Sequence, residues 1–178
     1  SISRGFQMLA AGEIDAFASA GNTGAMMAGS STSLKLIGRI NRPCISVELP
    51  LPSGKKVLLL DVGFNSDCRL LQFAVLGSIY AHTVMKIEKP KVALLNIGEE
   101  KEKGTLILKE AYSLLSDNEF INFQGNVEPD KLFTVPDVAD VVVTDGFTGN
   151  IVLKQAESIY SMVEQRAIKD SYLEQFNY

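Results

Sequence analysis

Short apolar runs alternate along this chain with longer segments of helical periodicity, and this alternation limits the folds that it can adopt. Val92–Ile97 and Val138–Thr144 read as buried strands, whereas Leu70–Met85 and Thr105–Ser116 have the length and apolar spacing of helices. Strands that alternate with helices of this length form parallel βαβ units, with helices on both faces of the sheet. We therefore predict an α/β fold with a mostly parallel sheet.

The segment after the first helical patterns has a different character. Cys44–Leu49 and Val57–Val62 are β-type runs separated by a short polar turn, which predicts a hairpin or an edge ribbon. No linker, repeat or low-complexity stretch interrupts the chain. We therefore expect one α/β domain over residues 1–178, with Cys44–Lys56 as a protruding ribbon.

Composition and charge exclude several classes of protein. The 178 residues carry a formal net charge of −4, whereas nucleic-acid binders usually show a basic excess. No apolar stretch reaches the length of a membrane span. Two cysteines, Cys44 and Cys68, are too few for a disulfide framework and indicate a reducing cytosol. We expect a soluble cytoplasmic protein that does not bind nucleic acid.

Polar, turn-forming clusters recur where a predicted strand gives way to a helix. In an open parallel sheet such positions share one edge, at which α/β folds bind their ligands. Glycine lets the backbone approach a ligand closely, and helix N-termini offer free N–H groups to an anion. The clusters are Ser19–Gly24, Asp61–Asn65, Asn96–Glu100, Gly125–Glu128 and Asp145–Asn150.

Each cluster also has a purely structural explanation. Asn22, Thr23, Asn65 and Thr148 are residue types that cap helices, and the glycines suit βα turns. The chain has no P-loop, G-x-G-x-x-G, C-x-x-C or H-E-x-x-H motif, so we expect neither a metal nor a cofactor. His82, the only histidine, falls inside a predicted helix away from the ligand edge, which disfavours a Ser-His-Asp or Cys-His mechanism.

Three charged residues at this edge are candidates for function. Asp61 and Asp145 each end a predicted strand, where a carboxylate either holds loop N–H groups or orients a polar ligand. Lys154 follows Asn150 by one helical turn, a spacing that directs its ammonium back towards an anion at the helix N-terminus. A solvated helical lysine explains the same pattern equally well.

Taken together, the clusters resemble one family in the same order over nearly the whole chain. The family is the bacterial phosphate acyltransferases of phospholipid synthesis (the PlsX type). The blocks that carry the resemblance are Ala18–Met26, Leu60–Gly63, Leu95–Glu100, Gly125–Glu128 and Val143–Asn150. The resemblance implies a three-layer α/β/α sandwich, similar to phosphate acetyltransferases and isocitrate-type dehydrogenases. Family chains are nearly twice as long, so we expect this sequence to be part of a longer chain that also carries a Gly-Gly-Asp motif.

The resemblance implies transfer of a fatty acyl group from acyl carrier protein to inorganic phosphate, which gives acyl phosphate. Phosphate is already an anionic nucleophile at neutral pH, and a thiolate leaves without strong protonation. The protein must therefore mainly position phosphate and stabilise an oxyanion, and donors from Gly, Asn and Thr suit this task.

We assign roles to the clusters on this basis. The phosphate cradle comprises Gly21, Asn22, Thr23 and Gly24, with Ser19 beside it. Thr148, Gly149 and Asn150 supply further donors, Lys154 balances charge, and Asp61 and Asp145 orient these groups. As catalytic residues we predict Asn22, Asn150, Lys154, Asp61 and Asp145. Asn65, Asn96 and Glu99 line the same edge and complete the predicted phosphate-binding set.

Two alternatives stay open at this point. A phosphate acetyltransferase that uses acyl-coenzyme A needs the same phosphate chemistry, and a non-catalytic anion- or nucleotide-binding module needs only the fold.

For partners, the resemblance implies acyl carrier protein. We expect the acidic surface of that protein to contact basic residues among Lys35, Arg39, Arg42, Lys55 and Lys56. It also implies a homodimer packed through the last helix, with Tyr160, Met162 and Val163. Any membrane contact is expected to depend on residues beyond Tyr178.

Overall fold

A computed structural model describes residues 2–38, 40–51, 53–63, 65 and 69–165, with the side chains of Val163 and Gln165 excepted. The chain divides into two compact units, Ser1–Pro43 and Cys44–Tyr178, and each is described by itself. The single domain expected over residues 1–178 stays a prediction. No helix in the described ranges has the length and apolar character needed to cross a membrane.

The first unit is a pair of helices, α1 (Ile2–Ala10) and α2 (Thr23–Ser33). The ring of Phe6 on α1 meets the ring of Phe17 edge to face, with centroids 5.0 Å apart. The short run Ala16–Ala20, which precedes Gly21, lies outside any strand. Its small side chains are mostly exposed, so they offer no continuous apolar face for a sheet to bury.

The second unit is built on a five-stranded sheet in the order β1-β2-β5-β3-β4. Strand β1 pairs antiparallel with β2, and every other pairing is parallel. The predicted mostly parallel sheet is therefore confirmed. In chain order the elements are β1 (Ser46–Pro50), β2 (Lys56–Leu60), α3 (Leu70–Thr83), β3 (Lys91–Leu95), α4 (Leu106–Ser116), β4 (Asn122–Val127), α5 (Pro129–Thr134), β5 (Val141–Val143) and α6 (Gly146–Gln165).

Alternating side chains of the strands supply the two faces of the sheet. Leu58 and Leu60 face α3 and α4 and share a core with Phe73 and Leu115. Leu59 faces the other way, where Leu132 of α5 and Val152 of α6 pack in a second core. Both faces of the sheet are therefore covered by helices, which confirms the three-layer α/β/α arrangement.

The hairpin predicted around residues 44–62 is present, but it does not protrude. Strand β1 is the outer strand of the sheet, and Leu49 and Leu51 are buried in the second core. Burial of the apolar side chains of this segment against the sheet is favourable in free energy compared with their exposure to solvent. The segment Cys44–Lys56 is thus the sheet edge and its turn.

Glycine is required at one contact between a helix and the sheet and at one irregularity within a strand. A Cβ on Gly77 of α3 would lie 2.5 Å from a methyl carbon of Val141 on β5, so α3 packs closely on the sheet at this residue. Gly125 lies in β4 with a φ of +93°, beside a register shift between β3 and β4. The predicted turn over Gly125–Glu128 is therefore mostly strand, because glycine accommodates an irregularity within the ladder.

Candidate functional site

The carboxyl ends of the parallel strands bring several predicted site residues to one edge of the second unit. Asp61 follows β2, Thr144 and Asp145 follow β5, and Asn96 follows β3. Helix α3, which follows β2, covers one face of the sheet, whereas α6, which follows β5, covers the other. The chain therefore diverges between the neighbouring strands β2 and β5, and open α/β sheets bind ligands at such a divergence.

Asp61 is the fully buried carboxylate of this edge. Its Oδ1 accepts the Ile45 N–H at 3.1 Å, and its Oδ2 accepts the Asn65 N–H at 2.7 Å and the Asn65 side-chain amide at 2.6 Å. Asn65 is also buried, and its carbonyl accepts the Gly146 N–H at 2.7 Å. Asp61 and Asn65 together fix the loop after β2 against the start of α6.

Asp145 caps the N-terminus of α6. Its Oδ1 accepts the N–H groups of Phe147 and Thr148 at 3.0 and 2.9 Å, and its Oδ2 accepts the Thr148 hydroxyl at 2.6 Å. A carboxylate thus occupies the place that an anion would take at this helix end. The Thr148 hydroxyl and these N–H groups are engaged within the protein in this conformation, and the predicted role of Thr148 as a phosphate donor stays a prediction.

The next two residues of α6 differ sharply in environment. Gly149 is buried, and a Cβ there would overlap the backbone carbonyl oxygen of Asp61. Asn150 is exposed, and its amide makes no hydrogen bond within the described part of the chain. A Cβ built on Gly63 would lie 3.7 Å from Asn150 Oδ1. Asn150 is therefore a donor that the rigid frame of Asp61 and Asp145 presents to solvent.

Lys154 does not point towards the start of α6. Its Nζ lies 2.7 Å from Glu157 Oε2, one turn further along the helix, and its side chain is 65% exposed. The nearby glutamate competes for the ammonium that the sequence assigned to an anion at Asn150. In this conformation the charge of Lys154 is balanced by Glu157.

Asn96 is held by its own loop, whereas Glu99 pairs with a residue of α5. Asn96 is 5% exposed; its amide donates to the Lys103 carbonyl at 3.2 Å, and its Oδ1 accepts the Ile97 N–H at 2.8 Å. Glu99 pairs with Lys131 of α5 at 2.6 Å, and this contact raises the pKa of Lys131 above its ordinary value. In this conformation the side chain of Asn96 is engaged by the 96–105 loop and that of Glu99 by α5, and their place in a phosphate site stays a prediction.

The predicted phosphate cradle belongs to the first unit and lies at the N-terminus of α2. Asn22 Oδ1 accepts the Ala25 N–H at 3.0 Å, and Ser19 Oγ accepts the Gly21 N–H at 3.1 Å. No described residue accepts the backbone N–H groups of Thr23 and Gly24, which are exposed. Two backbone donors and the Asn22 amide group are therefore available to an anion at this helix end.

Sequence reasoning passed over two features beside these residues. Gly63 belongs to a predicted cluster, but the sequence analysis gave it no role of its own. A glycine in the loop directly after Asp61 was the signal for the close approach to Asn150. Cys44 packs near Asp61, and burial together with the Asp61 charge raises the pKa of its thiol to about 12. Cys68 lies outside the described residues.

Comparison with known proteins places these features in a family. The sequence model of the family described as "Fatty acid synthesis protein" matches residues 1–175. A "Phosphate acyltransferase" of Thermoanaerobacterium thermosaccharolyticum is 46% identical over 166 residues, which are 92% of this chain and 49% of that protein. A "Phosphate acyltransferase" of Listeria innocua is 51% identical over 152 residues, 82% of this chain and 44% of that protein.

One solved structure shares the fold. The branched-chain phosphotransacylase of Enterococcus faecalis V583 superposes with a TM-score of 0.56 at 20% identity, over 86% of this chain and 62% of that one. The chain spans about half the length of the curated relatives that it matches. With the family model matching almost end to end and relatives close to half identical, this chain belongs to the fatty acid synthesis protein family, the family of the phosphate acyltransferases that its motifs resemble.

Proposed function

We propose that this chain takes part in the transfer of a fatty acyl group from acyl carrier protein to inorganic phosphate, with release of acyl phosphate. The observation that carries the proposal is its identity of 46% and 51% to relatives named phosphate acyltransferase, over 92% and 82% of this chain. The environment of Asn150, an exposed amide on a rigid buried frame, supports it.

The reaction requires little acid–base chemistry. An oxygen of phosphate attacks the thioester carbonyl carbon, the carbon–sulfur bond breaks, and the carrier leaves as a thiolate that later takes a proton from water. Because phosphate already carries charge at neutral pH, no strong general base is needed. The protein supplies position and hydrogen bonds to the oxyanion, and removal of one such donor typically costs about 3 kcal/mol of barrier.

The contacts refine the roles proposed for individual residues. Asn22 with the Thr23 and Gly24 N–H groups suits phosphate, since these donors are exposed at a helix N-terminus. Asn150 suits the oxyanion or a phosphate oxygen, because its amide has no described partner within the protein. Asp61, Asp145, Thr148 and Gly149 act as positioning groups that hold Asn150 in place. Lys154 adds charge only if its pair with Glu157 opens.

The proposed partners are acyl carrier protein and a second copy of the chain. Of the basic residues proposed for the acidic carrier, Lys55 and Lys56 already pair with Asp137 and Glu48, whereas Lys35 of the first unit is exposed; Arg39 lies outside the described residues. For the homodimer, α6 exposes an apolar stripe formed by Ile151, Ile159 and Met162. Tyr160 is half-buried on another side of the helix, and the Val163 side chain lies outside the described set. We also propose that the protein acts in the cytoplasm.

The test is an activity assay with a full-length protein that carries this sequence. Hexadecanoyl thioesters of acyl carrier protein and of coenzyme A are each incubated with phosphate, and acyl phosphate is trapped with hydroxylamine. The proposal expects phosphate-dependent product, with kcat/KM at least tenfold higher for the carrier-protein thioester. Preference for coenzyme A would indicate a phosphate acetyltransferase-like enzyme. Tight nucleotide binding without product from either donor would indicate a binding module instead.

A further inference from the structure

An apolar groove of about 440 Å³ runs between the outer strand β1 and helix α6 of the second unit. Its volume falls within the range of small-molecule sites, and such sites are mostly apolar with few polar groups. The polar members of its lining are Glu157, which Lys154 neutralises, and Ser161. The apolar lining is Val47, Leu49 and Pro50 from β1, and Leu153, Ala156 and Tyr160 from α6.

The groove begins one helical turn away from the candidate site. Residues three and four apart share a helix face, so Leu153 lies one turn beyond both Gly149 and Asn150, with Ala156 and Tyr160 on the following turns. Strand β1 runs the same way, because Val47 pairs with Leu59 near Asp61 and Pro50 pairs with Lys56 at the far end. The end of the groove lined by Val47 and Leu153 therefore lies nearest Asn150, and the other end lies near Tyr160 and Pro50.

We propose that this groove binds the hydrocarbon chain of the acyl substrate. The thioester end lies at Asn150 and the methyl end near Tyr160. This assignment rests on the proposed acyl transfer and adds the residues that determine chain length. An extended hydrocarbon chain has no hydrogen-bonding groups of its own, and most of the residues that line the groove are apolar or aromatic. The exposed stripe of Ile151, Ile159 and Met162 lies on another side of α6, so a second copy of the chain does not require the groove.

The length of the groove sets a measurable limit. Leu153 to Tyr160 spans seven helical steps, which is about 10 Å. Carbon–carbon bonds of about 1.5 Å advance an extended chain by about 1.3 Å each, so about eight methylene groups fit alongside. Burial of each methylene strengthens binding by about fourfold. Long acyl donors therefore gain much more from the groove than a butanoyl donor, which ends near Leu153.

The test compares two donors in a full-length protein that carries this sequence: hexadecanoyl and butanoyl thioesters of acyl carrier protein. Ala156→Trp fills the middle of the groove. We expect it to lower the ratio of kcat/KM for hexadecanoyl over butanoyl donor at least tenfold. Ser158→Trp adds the same ring on the exposed side of α6 and is expected to leave that ratio within twofold of wild type. An unchanged ratio in a folded Ala156→Trp variant would overturn the proposal.

A second variant guards against misfolding of the first. Tyr160→Ala lengthens the groove at its far end and is expected to shift the preferred chain towards longer acyl groups; an unshifted preference contradicts the assignment. If wild-type protein makes no acyl phosphate from either donor, the proposed function fails but the groove is still tested. Hexadecanoic acid with a terminal photoreactive diazirine should then label peptides that contain Leu49 or Tyr160, and labelling elsewhere would refute the groove.

Discussion

The backbone carbonyl oxygen of Asp61 occupies the space in which Gly149 would carry a Cβ atom. The loop after β2 and the first turn of α6 are therefore in backbone contact, and hydrogen bonds from Asn65 and Gly146 secure the same junction. This contact sets the position of Asn150, the next residue along the helix. Substitutions at this junction therefore test how much the junction contributes to stability, separately from any contribution to catalysis.

Gly149→Ala should destabilise the protein. The added methyl group overlaps backbone, which cannot rotate away as a side chain can, so we expect a loss of about 2 kcal/mol or more in the free energy of unfolding. Urea denaturation measures the change. Asn150→Ala is the control, because its exposed side chain has no described partner and its loss should cost less than about 0.5 kcal/mol. Equal stability of the two variants would show that the contact is not rigid.

Asp61→Ala should be more damaging still. The substitution leaves the N–H groups of Ile45 and Asn65 and the Asn65 amide without their buried acceptor, which predicts a loss of at least about 3 kcal/mol. Glu102→Ala removes an exposed carboxylate from another loop and serves as the matched control. Thermal unfolding of both variants is the measurement, and a stable Asp61→Ala protein would contradict the network described here.

Asp145 can be tested as a helix cap apart from its charge. Asp145→Ala removes the acceptor for the Phe147 and Thr148 N–H groups and should cost about 1 to 2 kcal/mol. Asp145→Ser keeps a capping oxygen and should recover most of that loss. If serine and alanine destabilise the protein equally in urea titrations, the cap contributes little and the carboxylate has another role.

The Cys44 thiol should resist alkylation in the native state. Its pKa is raised from 9.0 to about 12, so at pH 8 the reactive thiolate is about a thousandfold rarer than in the unfolded chain. Iodoacetamide labelling of a Cys68→Ser protein, with and without urea, measures this difference. Because the folded pKa lies above the unfolded one, the associated stability is complete below pH 9 and is lost as the pH rises towards 12. Rapid native labelling would show that the thiol is not shielded.

The sequence predicted the sheet well because its signals are local. Val141–Val143 is apolar on both faces, as a central parallel strand requires, and it lies within the strand predicted over Val138–Thr144. The cluster Asp145–Asn150 was expected to be a turn, yet α6 already begins at Gly146. Gly146–Asn150 has the composition of a loop, and only the cap from Asp145 makes its helical form favourable.

The site was harder to predict because a polar side chain can serve either a ligand or its own loop. Asn96 was expected at the ligand edge, yet its amide satisfies the Lys103 carbonyl, a partner that depends on how the loop folds. Lys154 had two neighbours one turn away in opposite directions, and Glu157 holds its ammonium. The groove between Leu49 and Tyr160 is formed by segments distant in sequence, so no local sequence pattern predicts it.

The central claim is that Asn22 and Asn150 each supply donors for acyl transfer to phosphate. The most direct test measures initial rates of acyl-phosphate release from hexadecanoyl carrier protein against phosphate concentration, in full-length wild type, Asn22→Ser, Asn150→Ala and the exposed control Gln155→Ala. Serine at position 22 keeps a helix cap but removes the amide. We predict that kcat/KM falls at least about tenfold in both asparagine variants, with unfolding midpoints near wild type and Gln155→Ala unchanged. Rates within twofold of wild type in both asparagine variants would contradict the account.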